Sequence, residues 1–572
     1  MLSSTQFLTI LAAVSALAAP DHLRSRRLDV LNARSWRRDV FEDRLHNLTF
    51  VHVNDVHAHL DQYRKSGTDC DPPSPDCVGG YSRIKTKVEE IRSTTPNTLL
   101  LNMGDEFQGT LFYSFYGGSK IAETVNDLNF DAMTIGNHEF DGGDDQLASY
   151  LHNVTAPVVS ANIKTNNHWL SSRIKPYHVF PEHSLAVIGL TTIHTKTTSS
   201  PGRDTEFLDP VEALQRTVDE INAKENVGRI IAMTHIGYED DVDLARRTRG
   251  IHLILGGHSH TLLGDFDEAE GPYPTIQRNL DGEEVFIVTA WRWGQVLGFI
   301  NIAFENGPGG RVLEYTGGPI VMDSSIPRDT ELQAKVDAWR KPFDEYSKKV
   351  VGWTNGDLDQ TRCQIEECTL GNLITDAMLD YRLDAGGKVH GAIMNAGGIR
   401  ATIPQGNVTR GAIVTSFPFG NAVVDLEFSG RELWDMFEGI VSRRNSANKE
   451  VTSFVQVSRG VAFSYNPSVA AGSRLRSLNL TSDIKITPDD QNRYVVTTID
   501  FVAAGGDGFL NPPRKPGPPL NTLDDVLADY IRAKSPYTPF KEGRITKLEG
   551  YRGSGQDILK TCIGLRCRSL PA

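Results

Sequence analysis

The sequence predicts an α/β fold in two domains joined by a helix, and three observations predict it. Between Leu48 and Asp323, short apolar runs alternate with helical patterns, and five of those runs end abruptly in a polar cluster. From Asp329 to Val351, Leu332, Val336, Trp339, Phe343 and Tyr346 follow a 3–4 spacing that gives one apolar helical face. Beyond that, Gly352 to about Gly550 has apolar segments and Gly-rich turns of its own. A chain of 572 residues is long enough for two cores.

The elements follow in order. Residues 1–19 read as a secretory signal: Phe7–Ala18 is apolar and ends in small residues, with Leu17-Ala18-Ala19 as the cleavage site, although the charged start is missing. Residues 20–46 form a basic leader or pro-segment containing Arg26-Arg27 and Arg37-Arg38. The first domain is expected over 47–325, the linker helix over 326–351, the second domain over 352–550 and a tail over 551–572. No tract after the leader is long enough to span a bilayer, and the tail has no apolar run for a glycolipid anchor, so no membrane anchor is expected. A secreted, extracellular protein is the expectation. Six cysteines form three close pairs, Cys70 with Cys77, Cys363 with Cys368 and Cys562 with Cys567; in a secreted chain these are read as three local disulfides. Asn47, Asn153, Asn407 and Asn479 begin glycosylation sequons. The net charge of −13 argues against binding a nucleic-acid polymer. It leaves small anionic substrates open, because bound divalent metals reverse the local sign.

The five apolar runs carry the chemistry. Leu48–Val53 meets Asn54-Asp55-Val56-His57, and Thr98–Met103 meets Gly104-Asp105. Ala132–Ile135 meets Gly136-Asn137-His138-Glu139-Phe140-Asp141. Arg229–Met233 meets Thr234-His235, and Ile251–Leu255 meets Gly256-Gly257-His258-Ser259-His260. Runs of this kind read as buried strands, which places each cluster at a strand's C-terminal end, where open α/β sheets bind ligands. A lone histidine at a strand end is more often structural; five clusters in series shift the balance. A phosphate ester is cleaved when two metals about 3.5–4 Å apart share a hydroxide and clamp the phosphoryl oxygens. Asp105 is assigned as the bridging carboxylate, with Asp55, His57 and His260 completing one site and Asn137, His235 and His258 the other. Mixed Asp, Asn and His ligation suits zinc first, then manganese or iron, over calcium. His138 is placed to stabilise charge on the phosphoryl or leaving oxygen, and Asp141 to hold its other ring nitrogen.

These clusters resemble those of the calcineurin-like metallophosphoesterases, and within them the 5′-nucleotidase family, which includes ecto-5′-nucleotidases and UDP-sugar hydrolases. Asn54–His57 and Gly136–Asp141 carry the resemblance most specifically. It continues through Leu370–Met378, Asn395–Arg400, Phe417–Asn421 and Gly505–Phe509. The resemblance implies a four-layer α/β metallophosphoesterase domain, the linker helix and a C-terminal α/β nucleotide-binding domain. It implies the same seven metal ligands and a His138–Asp141 catalytic dyad. In the second domain it implies Phe419 and Phe501 stacking on the base, Asp507 on the ribose, and Asn395 and Arg400 on base or phosphate. The linker helix would let one domain rotate against the other. The implied activity is release of phosphate from nucleoside 5′-monophosphates by a metal-bound hydroxide. Diphosphates, UDP-sugars or 2′,3′-cyclic nucleotides are alternatives on the same site. A non-catalytic nucleotide-binding protein and a metal-stabilised surface protein are the alternatives of other classes.

One stretch departs from the family pattern. Arginines usual before the Leu-Gly-Asn-Leu stretch are replaced by Gln364 and Glu366, with Arg362 one step out of register. Losing a cation and gaining a carboxylate weakens phosphate anchoring. Gln364→Arg is expected to lower KM for AMP; an unchanged or higher KM contradicts the alignment.

Overall fold

The computed structural model describes residues 45–548 apart from 71–72, 308, 482 and 515–519. The expected signal (1–19), almost all of the basic leader, the tail (551–572) and the Cys562–Cys567 pair lie outside the described residues.

The five apolar runs are strands: β1 (Leu45–Val53), β2 (Thr98–Asn102), β3 (Ala132–Met133), β4 (Arg229–His235) and β5 (Leu253–Gly256). β1 begins at Leu45, inside the expected leader, because it pairs from its first residue with the antiparallel strand Val296–Glu305. The first sheet runs Val312–Gly317, Val296–Glu305, β1, β2, β3, Val158–Val159, Ile174–Lys175, with Ile320–Val321 beside Val296–Glu305. The second runs Thr275–Arg278, Glu284–Thr289, β5, β4, Leu185–Thr191, Tyr177–Phe180. β1, β2 and β3 are mutually parallel, as are β4 and β5, so the polar clusters emerge at the same end of their sheets.

Side-chain alternation along each strand builds the layers. Phe50, Leu99, Leu101, Val187, Ile231, Met233 and Leu253 pack between the two sheets. Their neighbours face outward: Val51, Val53 and Leu100 against helices on one side, Ala186, Ile188 and Ile230 against helices on the other. The result is helix–sheet–sheet–helix, four layers.

The linker helix α1 runs Thr330–Ser347, capped by Asp329, whose carboxylate accepts from Leu332 N. It is shorter than the 329–351 pattern predicts, because the chain then enters the strand Val350–Thr354, paired with Gly406–Thr409 of the second domain. Leu332, Val336 and Phe343 belong to the first domain's core, whereas Tyr346, predicted on the same face, is 42% exposed. Arg340 pins the helix by ion pairs to Asp61 and Asp69. α1 is therefore part of the first domain, and the change of partner falls at residues 348–349.

The second domain has one core, in which helix α2 (Thr369–Asp384) packs on β6 (Gly391–Asn395) and the strands paired with it. The disulfides Cys70–Cys77 and Cys363–Cys368 are formed.

Candidate active site

Tight, strained turns bring the strand ends together. Asp55, His57, Asp105, His258 and His260 all have positive φ, the left-handed region that side chains with a Cβ seldom adopt. Their clustering marks a site where backbone strain fixes side-chain direction. Two glycines make the approach possible: a Cβ on Gly104 would lie 2.3 Å from Gly136 N, and one on Gly136 would lie 2.1 Å from Asp105 Oδ1. Glu139 knits the same two turns, its carboxylate accepting from Gly136 N at 2.6 Å, Asp105 N at 3.0 Å, Glu106 N at 2.6 Å and Phe107 N at 3.2 Å.

Ligand-type atoms form two groups, Asp55 with His57 and His260, and Asp105 with His235 and His258, each within 4.8 Å. Several observations fit them to divalent metals. His57 Nδ1 lies 2.9 Å from Phe107 O and His235 Nδ1 lies 2.7 Å from Met103 O. A carbonyl only accepts, so each Nδ1 carries a proton and Nε2 is the ring nitrogen that faces inward. His57 Nε2 faces His260 Nε2 at 3.0 Å. His235 Nε2 and Asn137 Oδ1 are buried without a hydrogen-bond partner. Buried orphan acceptors converging beside two carboxylates are what a cation satisfies. Asp105 Oδ2 stands 3.0 Å from His235 Nε2 and 3.8 Å from His57 Nε2, so it faces both groups.

Electrostatics agree. Burial drives His57 well below the usual imidazole range and His258 to about 3, keeping both neutral as ligands must be. Burial also opposes charge on His235, but the Asp105 and Asp55 carboxylates outweigh it and hold this group up to about 10. Without a metal, His235 Nε2 therefore holds a proton toward Asp105, which a bound cation would replace.

His138 lies beside this cluster, its Nδ1 2.7 Å from Asp141 Oδ2. Burial lowers its basicity, yet Asp141 and Asp105 together raise it above the ordinary histidine value. Ser199 Oγ donates to Asp141 Oδ1 at 2.5 Å and fixes the carboxylate from behind. The imidazole is thereby oriented with Nε2 free to face a ligand.

The second domain closes over this floor, leaving a cleft of about 650 Å³. His138, Asp141, Asn137, His258 and His260 line it from the first domain, and Asn395, Arg400, Phe419, Phe501 and Asp507 from the second. Arg400 reaches the metal-type groups, with Nη2 3.3 Å from His57 Nε2. Phe419 stacks on His138 with ring centroids 5.6 Å apart. Asp507 accepts from Asn395 Nδ2 at 2.7 Å and Thr452 Oγ1 at 3.1 Å, while Asn395 Oδ1 is buried and unpartnered. His194 of the first domain pairs with Glu450 of the second at 3.3 Å.

Of the two departures in the Cys363–Cys368 loop, only Gln364 lines the cleft. Glu366 pairs with Arg362 and Lys541 instead, so its carboxylate is neutralised on the surface and does not oppose a phosphate. Sequence reasoning also passed over Asn54, which donates to Asp55 Oδ2 at 2.7 Å, and assigned no task to Glu139. Arg292 lines the cleft as well. Its signal was present: it follows the apolar strand Glu284–Thr289 as the other site residues follow theirs.

Comparison with known proteins matches this architecture. The calcineurin-like phosphoesterase family matches residues 48–262, and the 5′-nucleotidase C-terminal domain family matches residues 350–512. A snake venom 5′-nucleotidase of Naja atra is 34% identical over 530 residues, 87% of this chain and 98% of the relative. The 5′-nucleotidase of Homo sapiens is 36% identical over 489 residues, 81% of this chain and 84% of the relative. The crystal structure of a 5′-nucleotidase precursor from Thermus thermophilus superposes with a TM-score of 0.79 at 34% identity, covering 88% of this chain and 99% of that one.

Because Asp105 faces both groups, Asp105→Asn is expected to remove more bound metal than His57→Ala, which touches one. Elemental analysis of the purified proteins measures this; equal metal content in Asp105→Asn and the unaltered protein contradicts the shared role.

Proposed function

The chain belongs to the 5′-nucleotidase family, and from that premise we propose that this metal-dependent nucleotide phosphohydrolase releases phosphate from nucleoside 5′-monophosphates outside the cell. The observation that carries the reading is the single cleft that joins two metal-type clusters and a polarised histidine on one wall to paired aromatics and Asp507 on the other.

Asp55, His57, Asp105 and His260 would hold one divalent metal, and Asp105, Asn137, His235 and His258 the other; zinc, manganese or iron suits this mixed donor set. Bound there, the pair would neutralise the phosphoryl oxygens and activate water. His138, whose basicity Asp141 raises, would donate from Nε2 to the phosphoryl or leaving oxygen as charge develops on it. Arg400 brings a second-domain guanidinium to the same end of the cleft. Phe419 and Phe501 offer faces for the base, and Asn395 Oδ1 and Asp507 offer acceptors for nucleoside donors. Closure of the second domain excludes bulk water and strengthens each of these interactions. Secretion is supported by the two disulfides and by the venom relative, and among the described residues no helix is long and apolar enough to cross a membrane.

The test is phosphate release from AMP, ADP, UDP-glucose, 2′,3′-cyclic AMP and a non-nucleotide phosphomonoester, with and without chelator. Chelator-sensitive turnover led by AMP is expected, and His138→Ala should lower kcat by about 100-fold or more with metal content unchanged. A lead by another substrate overturns the monophosphate assignment, and full turnover by His138→Ala overturns the mechanism.

A further inference from the structure

The turn Trp291-Arg292-Trp293 follows the strand Glu284–Thr289, and no role described so far uses its arginine. Trp291 and Trp293 both have positive φ, a strained state for bulky side chains. The turn is held by the strand end that carries Asp55. Asn54 Nδ2 donates to Trp291 O at 2.6 Å, Ala290 N donates to Asn54 Oδ1 at 2.7 Å, and Trp293 N donates to Asp55 O at 2.7 Å. Tyr63 OH locks the far side, donating to Trp293 O at 2.5 Å. Arg292 is thus registered to Asp55 by backbone contacts on both flanks.

Its side chain lines the cleft that Arg400 enters from the other domain. The guanidinium lies over the Trp293 ring, 4.1 Å from the centroid. Its Nε is buried without a hydrogen-bond partner, and among the described residues no carboxylate pairs with it. Burial, with the like charge of Arg400 adding to it, lowers its pKa to about 10 against partial opposition from Tyr63, Glu268 and Asp55, so it remains charged at neutral pH. A structural arginine normally finds carbonyls or a carboxylate for its five donors. Here two guanidinium groups, one per domain, share a polar cleft with donors to spare. That arrangement is costly on its own and favourable once an anion lies between them.

We propose that Arg292 is a phosphate-binding residue, gripping the nucleotide's dianionic phosphate from the first domain while Arg400 grips it from the second. The proposal deepens the phosphohydrolase reading and rests on it. It also explains how the cleft tolerates Gln364: the cation missing from the Cys363–Cys368 loop is supplied from the opposite wall. Because Arg292 moves with Asp55, phosphate stays registered to the metal-type clusters however the second domain is placed.

The experiment is calorimetric titration of inorganic phosphate, and separately of adenosine, into the metal-loaded full chain and its Arg292→Met and Arg292→Lys variants. Methionine keeps the apolar stem over Trp293 and removes the charged fork. Arg292→Met is expected to weaken phosphate binding by about tenfold or more, with adenosine affinity changed by less than about twofold. Arg292→Lys should recover part of the loss, since it restores charge but not the fork. Phosphate affinity unchanged in Arg292→Met overturns the proposal. So does equal weakening of phosphate and adenosine, or loss of metal in both variants, because either makes Arg292 a support of the turn. Failure of the broader reading looks different: the unaltered protein would bind phosphate in an Arg292-dependent way yet hydrolyse no nucleotide.

Discussion

Asp55 and Asp105 are buried carboxylates set 3.9 Å and 3.0 Å from His235 Nε2, and the surrounding structure serves to keep them there. Burying an ion costs several kcal/mol even after relaxation. Holding side chains at left-handed backbone positions adds about 1–3 kcal/mol at each such residue. Neither cost is recovered by packing, since the converging atoms are acceptors. The compensating term is cation binding, and the site is preorganised for it. Backbone carbonyls set the tautomers of His57 and His235, Glu139 gathers four amide donors, and Gly104 and Gly136 let two turns touch. The four-layer domain supplies the rigidity, because every one of these turns leaves a strand clamped between sheet and helices.

The two domains divide the work. The first holds the metal-type clusters and the His138–Asp141 pair; the second holds Arg400, the aromatic faces and Asp507. Neither wall makes a complete site. Phe419 on His138 and Arg400 on His57 are contacts between the two domains, so the walls meet over the metal-type clusters. Since α1 is built into the first domain's core, movement of the second domain would hinge beyond Ser347 rather than within the helix.

Much of this was legible in the sequence because the chemistry sits at punctuation points. An apolar run that stops at Asp55, Asp105, Asn137, His235 or His258 announces both a buried strand and its C-terminal end, and the parallel pairing puts those ends together. What was not legible depends on long-range contact. The end of α1 is set by pairing with Gly406–Thr409, far along the chain, and no local periodicity reports it. Glu366 shares a short loop with Gln364, but only the fold shows that one faces Lys541 and the other the cleft. Asn54 and Glu139 act on backbone amides and carbonyls, which sequence patterns do not display. Arg292 follows its strand as the other site residues do, but the contacts with Asn54, Asp55 and Tyr63 that hold its turn appear only in the fold.

The central claim is that these strand ends form one preorganised two-metal centre. Anomalous diffraction from crystals of the metal-loaded protein tests it most directly. Two peaks about 3.5–4 Å apart are expected, with Asp105 between them, Asp55, His57 and His260 around one and Asn137, His235 and His258 around the other. A single peak, or metal bound elsewhere with these side chains unligated, would contradict the account.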